Sequence, residues 1–194
     1  MSVKEEDSKR LNELYQELLA KKDEYYQLIK KVYRFPMQDY CVKSRTGNPI
    51  RLSDLFGKHD ELILVHNMGK FCPWCTLWAD GFNGIIHHLE ERAAFVVSTP
   101  DEPEVMRKFA RSRRWAFNMV STLGSTLKKD LGFEDEKGNY HPGVSIIKKM
   151  EDGTLMHISK THFGPGDDFC SAWYFFDMLD KGDPDWNPQI SYLD

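Results

Sequence analysis

Two thiols separated by two residues, Cys72 and Cys75 in the run Phe71-Cys72-Pro73-Trp74-Cys75-Thr76, are the residues of this chain best suited to chemistry. If the segment is the first turn of a helix, residues three apart return to one face and can close a short disulfide. That turn has backbone N–H groups without intrahelical partners and the positive end of the macrodipole, which favours a thiolate at Cys72 and lowers its pKa. Pro73 suits the position, since its missing N–H would have no partner there. Cys72 is therefore the expected attacking sulfur and Cys75 the resolving one. The dithiol itself is the redox group, so no cofactor is expected.

Other side chains near the pair in sequence are weighed against plainer readings. His66 and Asp80 flank the dithiol and are candidates for tuning its pKa or relaying a proton; the plainer readings are a hydrogen-bonded histidine ending a strand and a polar kink at Asp80-Gly81. Cys170 is a candidate third redox partner, its pKa raised by Asp167 and Asp168, or simply a buried thiol. Cys41 is expected to pack inside a strand, and His87 and His88 to lie on a helix surface. Trp74 either restricts access to the thiols or offers a substrate an aromatic contact. One CxxC is half a zinc site and would need two more ligands, such as His66 and Cys170, so no metal is expected.

The elements that must position these groups follow from composition and periodicity. The 194 residues, 41% of them hydrophobic, suffice for one domain with a sizeable core. Thirty acidic against 26 basic residues leave a net charge of −4, which argues against a nucleic-acid or anionic-membrane partner. Arg107, Lys108, Arg111, Arg113 and Arg114 read as a solvated helix face. The apolar runs fall far short of the ~20 residues needed to span a bilayer, and the N-terminus lacks a signal-peptide core, so a soluble cytoplasmic protein is expected. Four cysteines are too few for a disulfide-stapled secreted scaffold.

Residues 4–33 carry Leu11, Leu14, Leu18, Tyr25, Leu28, Ile29 and Val32 at mostly helical spacings, predicting an amphipathic helix closed by Pro36. This arm, residues 1–36, either caps the domain or packs against a second subunit as a homodimer. Residues 37–182 form the main domain and 183–194 an irregular tail. Within the domain, residues 40–42 and 46–52 read as extended pieces, and 62–65 as a buried strand ahead of the CxxC helix. A second strand over 93–97 precedes a helix capped by Asp101 with Glu104, whose inner stripe is Val105, Phe109 and Trp115. Phe117 to Ser121 reads as an edge strand, 125–131 as a short helix, 143–149 with 154–159 as a hairpin, and 168–179 as a final helix. That order predicts an α/β fold: a three-layer α/β/α sandwich with a mixed central sheet, in the thioredoxin-like layout. In such layouts a proline beside the dithiol is often cis, and His141-Pro142-Gly143 stands at that place. A cis Pro142 would free the His141 backbone to pair with a substrate, so Trp74, His141 and Pro142 are the expected substrate contacts.

The runs Phe71 to Gly84, Arg92 to Ser98, His141 to Ser145 and Phe163 to Cys170 also resemble a bacterial family of thioredoxin-like proteins of unknown function. Its members are sometimes labelled as similar to alkyl hydroperoxide reductase and thiol-specific antioxidant proteins. The resemblance implies the fold, and only weakly an activity. Two departures from better-known relatives stand out. A peroxiredoxin-type site places Thr three residues before its reactive Cys, where this chain has Gly69; typical thioredoxin has Gly-Pro between its cysteines, where this chain has Pro73-Trp74. The favoured function is a thiol-disulfide oxidoreductase acting on a protein or small-molecule disulfide with an external reductant. The alternative is a non-enzymatic redox-sensing or interaction module, and a thiol peroxidase ranks lower because of Gly69.

Overall fold

A computed structural model of the chain describes residues 3–181 and 185–192. Helix α1 spans Val3–Val32, and eight strands make one sheet: β1 Phe35–Met37, β2 Cys41–Lys43, β3 Pro49–Arg51, β4 Glu61–His66, β5 Ala94–Thr99, β6 Asn118–Ser121, β7 Gly143–Lys149 and β8 Leu155–His162. The remaining helices are α2 Pro73–Arg92, α3 Pro103–Arg113, α4 Leu127–Asp130 and α5 Ala172–Asp177, with a 3-10 turn over Leu52–Phe56.

The strand order is β1-β8-β7-β4-β5-β6-β2-β3. Strands β4, β5 and β6 run parallel, as crossover helices α2 and α3 require, while β7 and β8 add an antiparallel hairpin beside β4. This is the predicted mixed sheet, buried on both sides. One core joins Trp78, Phe82 and Ile86 of α2 to Phe95, Val97, Phe117 and Trp173. The other joins Leu52, Phe56, Leu62, Leu64, Val96, Leu127 and Phe133. β5 is buried at every residue, because both cores press on it.

Several expectations need correction. Pro36 does not merely end the arm: α1 stops at Val32, and Pro36 sits within β1, which pairs antiparallel with β8. A proline is tolerated there because β1 lies at the sheet edge. Residues 118–121 are not an edge strand, since Lys43 of β2 pairs with Ser121 and the β2–β3 hairpin extends the sheet beyond them. Helix α2 runs continuously from Pro73 to Arg92 through Gly81 and Gly84, the two glycines expected to bend or weaken it. The final helix is shorter than predicted, beginning at Ala172 and ending at Asp177. Part of the tail lies outside the described residues; Asp185 to Tyr192 is irregular but not detached. Trp186 packs on Phe176 at 4.8 Å between ring centres, and the Ile190 carbonyl accepts a hydrogen bond from Arg113.

The arm caps the domain with its C-terminal half only. Tyr26 Oη donates to Asp168, Lys22 pairs with the same carboxylate at 2.8 Å, and Ile29 is buried. Leu11, Leu14 and Leu18 remain exposed.

Candidate active site

The dithiol is delivered by a loop fixed through its backbone N–H groups. Past β4, the Asn67 N–H donates to the Ser98 carbonyl at 2.9 Å, and the Asn67 side-chain oxygen accepts the Gly69 N–H at 2.7 Å. Gly69 has φ +113, where a side chain would be strained, and a Cβ there would stand 3.2 Å from an Asp101 carboxylate oxygen. Asp101 takes the Lys70 N–H at 2.9 Å and the Thr99 hydroxyl at 2.7 Å. It therefore does not cap α3 as predicted: Glu102 is the N-cap residue, without a side-chain cap bond, and Pro103 opens the helix. Asp101 fixes the approach to Cys72 instead.

Cys72 is the N-cap of α2 and Pro73 its first residue, as the sequence predicted. All four cysteines are free thiols, with Cys72 partly exposed and Cys75 buried. Cys72 Sγ accepts the Cys75 N–H at 3.0 Å, and Cys75 Sγ accepts the Met68 N–H at 3.3 Å. The Cys72 thiol is held below its ordinary pKa, chiefly by the hydrogen bond from the Cys75 side chain, with the Cys75 and Trp74 N–H groups adding to it and partial burial opposing. Cys75 is pushed the other way, first by donating to Cys72 and then by burial. The partly exposed sulfur is thus the more acidic of the two and the buried one the less acidic.

The flanking candidates fare differently. His66 is fully buried; its Nε2 lies 3.0 Å from the Ser145 hydroxyl and its ring stacks on Phe133 at 3.8 Å. Burial holds its pKa well below the usual histidine range, so the ring is neutral. It shares a narrow crevice with Cys75, Asn67, Trp78 and Pro142, while its nitrogens face Ser145 and Ser98. Asp80 binds Arg113 and the Trp115 indole N–H at 2.8 Å, tying α2 to α3. Cys170 precedes α5 and is packed in the core, its pKa raised by burial first and by Asp167 only secondarily. Cys41 lies in β2 as predicted, yet its side chain is exposed rather than packed. Trp74 leans into an aromatic cluster, 5.6 Å from Trp173 and 6.2 Å from Trp186.

The chain contains no cis peptide among the described residues, so His141–Pro142 is trans. Pro142 reaches the Cys75 crevice, but the His141 N–H is taken by the Phe133 carbonyl at 2.9 Å and is not free to pair with a substrate. The His141 ring faces Asp135 at 3.9 Å. Two residues to which the sequence assigned no role lie beside the dithiol loop. Phe71, immediately before Cys72, is 80% exposed. Lys128 is 1% exposed, its Nζ donating to the Asn67 carbonyl at 3.0 Å. Phe71 carries a legible signal, an aromatic adjoining the CxxC; Lys128, in Leu127-Lys128-Lys129-Asp130, stands in the expected short helix beside charged neighbours that give no sign of its burial.

Among chains of known structure, peroxidoxin BcpB from Mycobacterium tuberculosis superposes with TM-score 0.55 at 24% identity, over 66% of this chain and 83% of that one. PrxQ from Xylella fastidiosa gives TM-score 0.58 at 14% identity over 73% and 89%. These likenesses establish the thioredoxin-like fold. In sequence, chloroplastic peroxiredoxin Q of Sedum lineare is 23% identical over 127 residues, 65% of this chain and 67% of that protein. Chloroplastic peroxiredoxin Q of Populus jackii is 24% identical over 127 residues, 65% of this chain but only 59% of that protein. The chain thus spans about three fifths to two thirds of the length of these relatives. A family model described as bacterial protein of unknown function (DUF899) matches residues 7–194, and to that family the chain belongs.

Proposed function

We propose that the protein is a thiol-disulfide oxidoreductase of a reducing, cytoplasmic compartment, with Cys72 as nucleophile and Cys75 as resolving thiol. The observation that carries this reading is the hydrogen bond that the partly exposed Cys72 sulfur accepts from the Cys75 N–H at the start of α2, which favours charge on Cys72, while the bond to Cys72 and burial favour the proton on Cys75. The Cys72 thiolate attacks a disulfide R–S–S–R′, forming Cys72–S–S–R and releasing R′S⁻. Cys75 then gives up its proton and attacks Cys72 Sγ, so that RSH departs and an intramolecular disulfide remains. Two electrons pass to the substrate, and an external dithiol-class reductant restores the enzyme. Phe71 and Pro142 are the proposed substrate contacts; Trp74 is assigned to packing, and His141 is withdrawn because its N–H is engaged. A Cys75→Ser variant should accumulate a mixed disulfide at Cys72, identifiable by mass spectrometry of the trapped adduct. Failure to trap any adduct from a disulfide-containing extract would sink the reading.

Hydroperoxide reduction at the same sulfurs is the second reading, favoured by the peroxiredoxin Q relatives. Against it stands Gly69, which supplies no hydroxyl and whose surroundings admit no side chain without displacing Asp101. Peroxide consumption that is fast beside slow disulfide exchange would reverse the order of the two.

The depressed Cys72 pKa makes a further prediction. Alkylation of Cys72 in the reduced protein by iodoacetamide should follow a midpoint below the ~8.5 of a free thiol, with exposed Cys41 labelled separately and Cys75 unreactive until the protein is unfolded. Peptide mapping locates each label, and a Cys72 midpoint at or above the free value contradicts the thiolate assignment.

For the arm, the proposed partner is a second copy. Leu11, Leu14, Leu18, Tyr25, Leu28 and Val32 follow alternating steps of three and four, a step at Lys21 included, and all are exposed. In a parallel pair this heptad register brings Glu17 near Lys22 of the other helix, but both are already paired within their own chain, with Arg10 and Asp168, so the apolar stripe carries the contact. Sedimentation equilibrium should give a dimer that Leu14→Glu with Leu18→Glu converts to monomer; a monomeric native chain at high micromolar concentration excludes it.

A further inference from the structure

A lysine side chain, costly to bury, lies beside the dithiol without belonging to it. Lys128 comes from the short helix α4, on the face of the sheet opposite α2, and passes between the carboxyl ends of β4 and β5. Its Nζ hydrogen bonds go to two neutral carbonyls, Asn67 at 3.0 Å and Ser98 at 3.5 Å, rather than to a carboxylate. A buried ammonium partnered only by backbone dipoles is unfavourable for folding alone. Burial pulls its pKa from the usual lysine range to about 7, so its charge is available near neutrality.

One peptide unit joins this lysine to the buried sulfur. The Asn67 carbonyl receives Lys128 Nζ, and the N–H of the same peptide bond, on Met68, donates to Cys75 Sγ at 3.3 Å. An ammonium on the carbonyl draws electron density toward oxygen and makes the amide proton a stronger donor, as in any polarised hydrogen-bond chain. A charge on Cys75 would meet that strengthened N–H and the field of the lysine together. The other ionisable groups that bear on Lys128 are Glu134 and Asp101, which act with Cys75 to favour its charge. His66, neutral in its pocket, feels the lysine as a repulsion, and the Tyr140 ring lies 6.0 Å from Nζ.

We propose that Lys128 is a positioning residue for the resolving step, acting through the Asn67–Met68 peptide to stabilise negative charge on Cys75 as it attacks the Cys72 mixed disulfide. The inference rests on the dithiol reading above. In the step concerned Cys75–SH loses its proton, the Cys75–Cys72 S–S bond forms, the S–S bond between Cys72 Sγ and the substrate sulfur breaks, and RS⁻ leaves with the electron pair and takes up a proton as RSH. Lys128 neither bonds to the substrate nor changes oxidation state. It lowers the cost of the charge that must pass through Cys75.

The test uses 5,5′-dithiobis(2-nitrobenzoate) on the reduced full chain with Cys41→Ser and Cys170→Ser, where each thionitrobenzoate released is one sulfur step. The first phase reports attack by Cys72 and the second reports resolution by Cys75. Lys128→Met removes charge and donor; Lys128→Gln keeps an N–H donor without charge. Both variants should slow the second phase at pH 7 by at least about tenfold and raise its pH midpoint, while the first phase changes by less than about threefold. If Gln retains the native second phase, the lysine merely satisfies two carbonyls and the proposal is overturned; an unchanged second phase in both variants overturns it equally. Should Lys128→Met not fold, Lys128→Gln alone decides. A chain with Lys128 intact that releases only one equivalent shows that the dithiol reading itself has failed, whereas two equivalents with lysine-independent kinetics defeat only this inference.

Discussion

Cys72→Ser is expected to lower thiol-disulfide turnover by roughly a thousandfold or more, because a serine hydroxyl at neutral pH is not ionised and cannot form the mixed disulfide. The substitution is nearly isosteric, and Ser is a favoured N-cap, so the Cys75 N–H that now reaches sulfur has an oxygen to reach instead. Stability should therefore change little while activity disappears. Insulin reduction driven by dithiothreitol reads the activity, and a urea midpoint reads the fold. Turnover that survives in Cys72→Ser would place the chemistry elsewhere, with exposed Cys41 the first sulfur to examine.

The second large effect is on stability and sits at Gly143, the first residue of β7. It pairs with His66 across one ladder and with His162 across the other, so backbone presses on it from both sides. A Cβ there would overlap the Phe133 ring and the Thr161 carbonyl and stand 3.0 Å from the His162 Cα. Neither obstruction is the flexible tip of a side chain: the Phe133 ring is buried between His66 and His162, and the carbonyl belongs to the hairpin itself. Gly143→Ala should cost on the order of 3 kcal/mol, the upper range for overpacking a core. Gly84→Ala is the control: its Cβ meets nothing within 4 Å and it lies within α2, so replacement should stabilise by about 0.5–1 kcal/mol. Urea unfolding of both variants measures the contrast, and a Gly143→Ala midpoint equal to the native one would mean that β7 can shift at no cost.

The sequence disclosed what depends on local pattern. The apolar run at 62–65, the CxxC with Pro73 at a helix start, the hairpin around Glu151-Asp152-Gly153 and the resulting mixed sheet all appear in the structure, because period and turn chemistry specify them within a few residues. What escaped depends on distant partners. Asp101 resembles a helix cap, yet its carboxylate is taken by Thr99 and by the N–H of Lys70, 31 residues away. Asp80 resembled a tuning acid, and Arg113 and Trp115 claim it across the helix pair. Lys128 and Lys129 are adjacent and alike in sequence, yet one is sealed in the core while the other reaches Glu136 at the surface. The strand β1 was missed because Pro36 reads as a stop signal when its neighbour β8 is unknown.

Both margins of the sheet are three-residue strands, and each contains a proline, Pro36 on one side and Pro49 on the other. A residue without an amide proton cannot template a growing ladder, and so short a ribbon offers little else to extend. Lateral growth into fibres is thereby discouraged at either border. Under the dithiol reading proposed above, a polypeptide disulfide would be held by side chains around the sulfurs, since neither margin among the described residues invites it to join as a ninth strand.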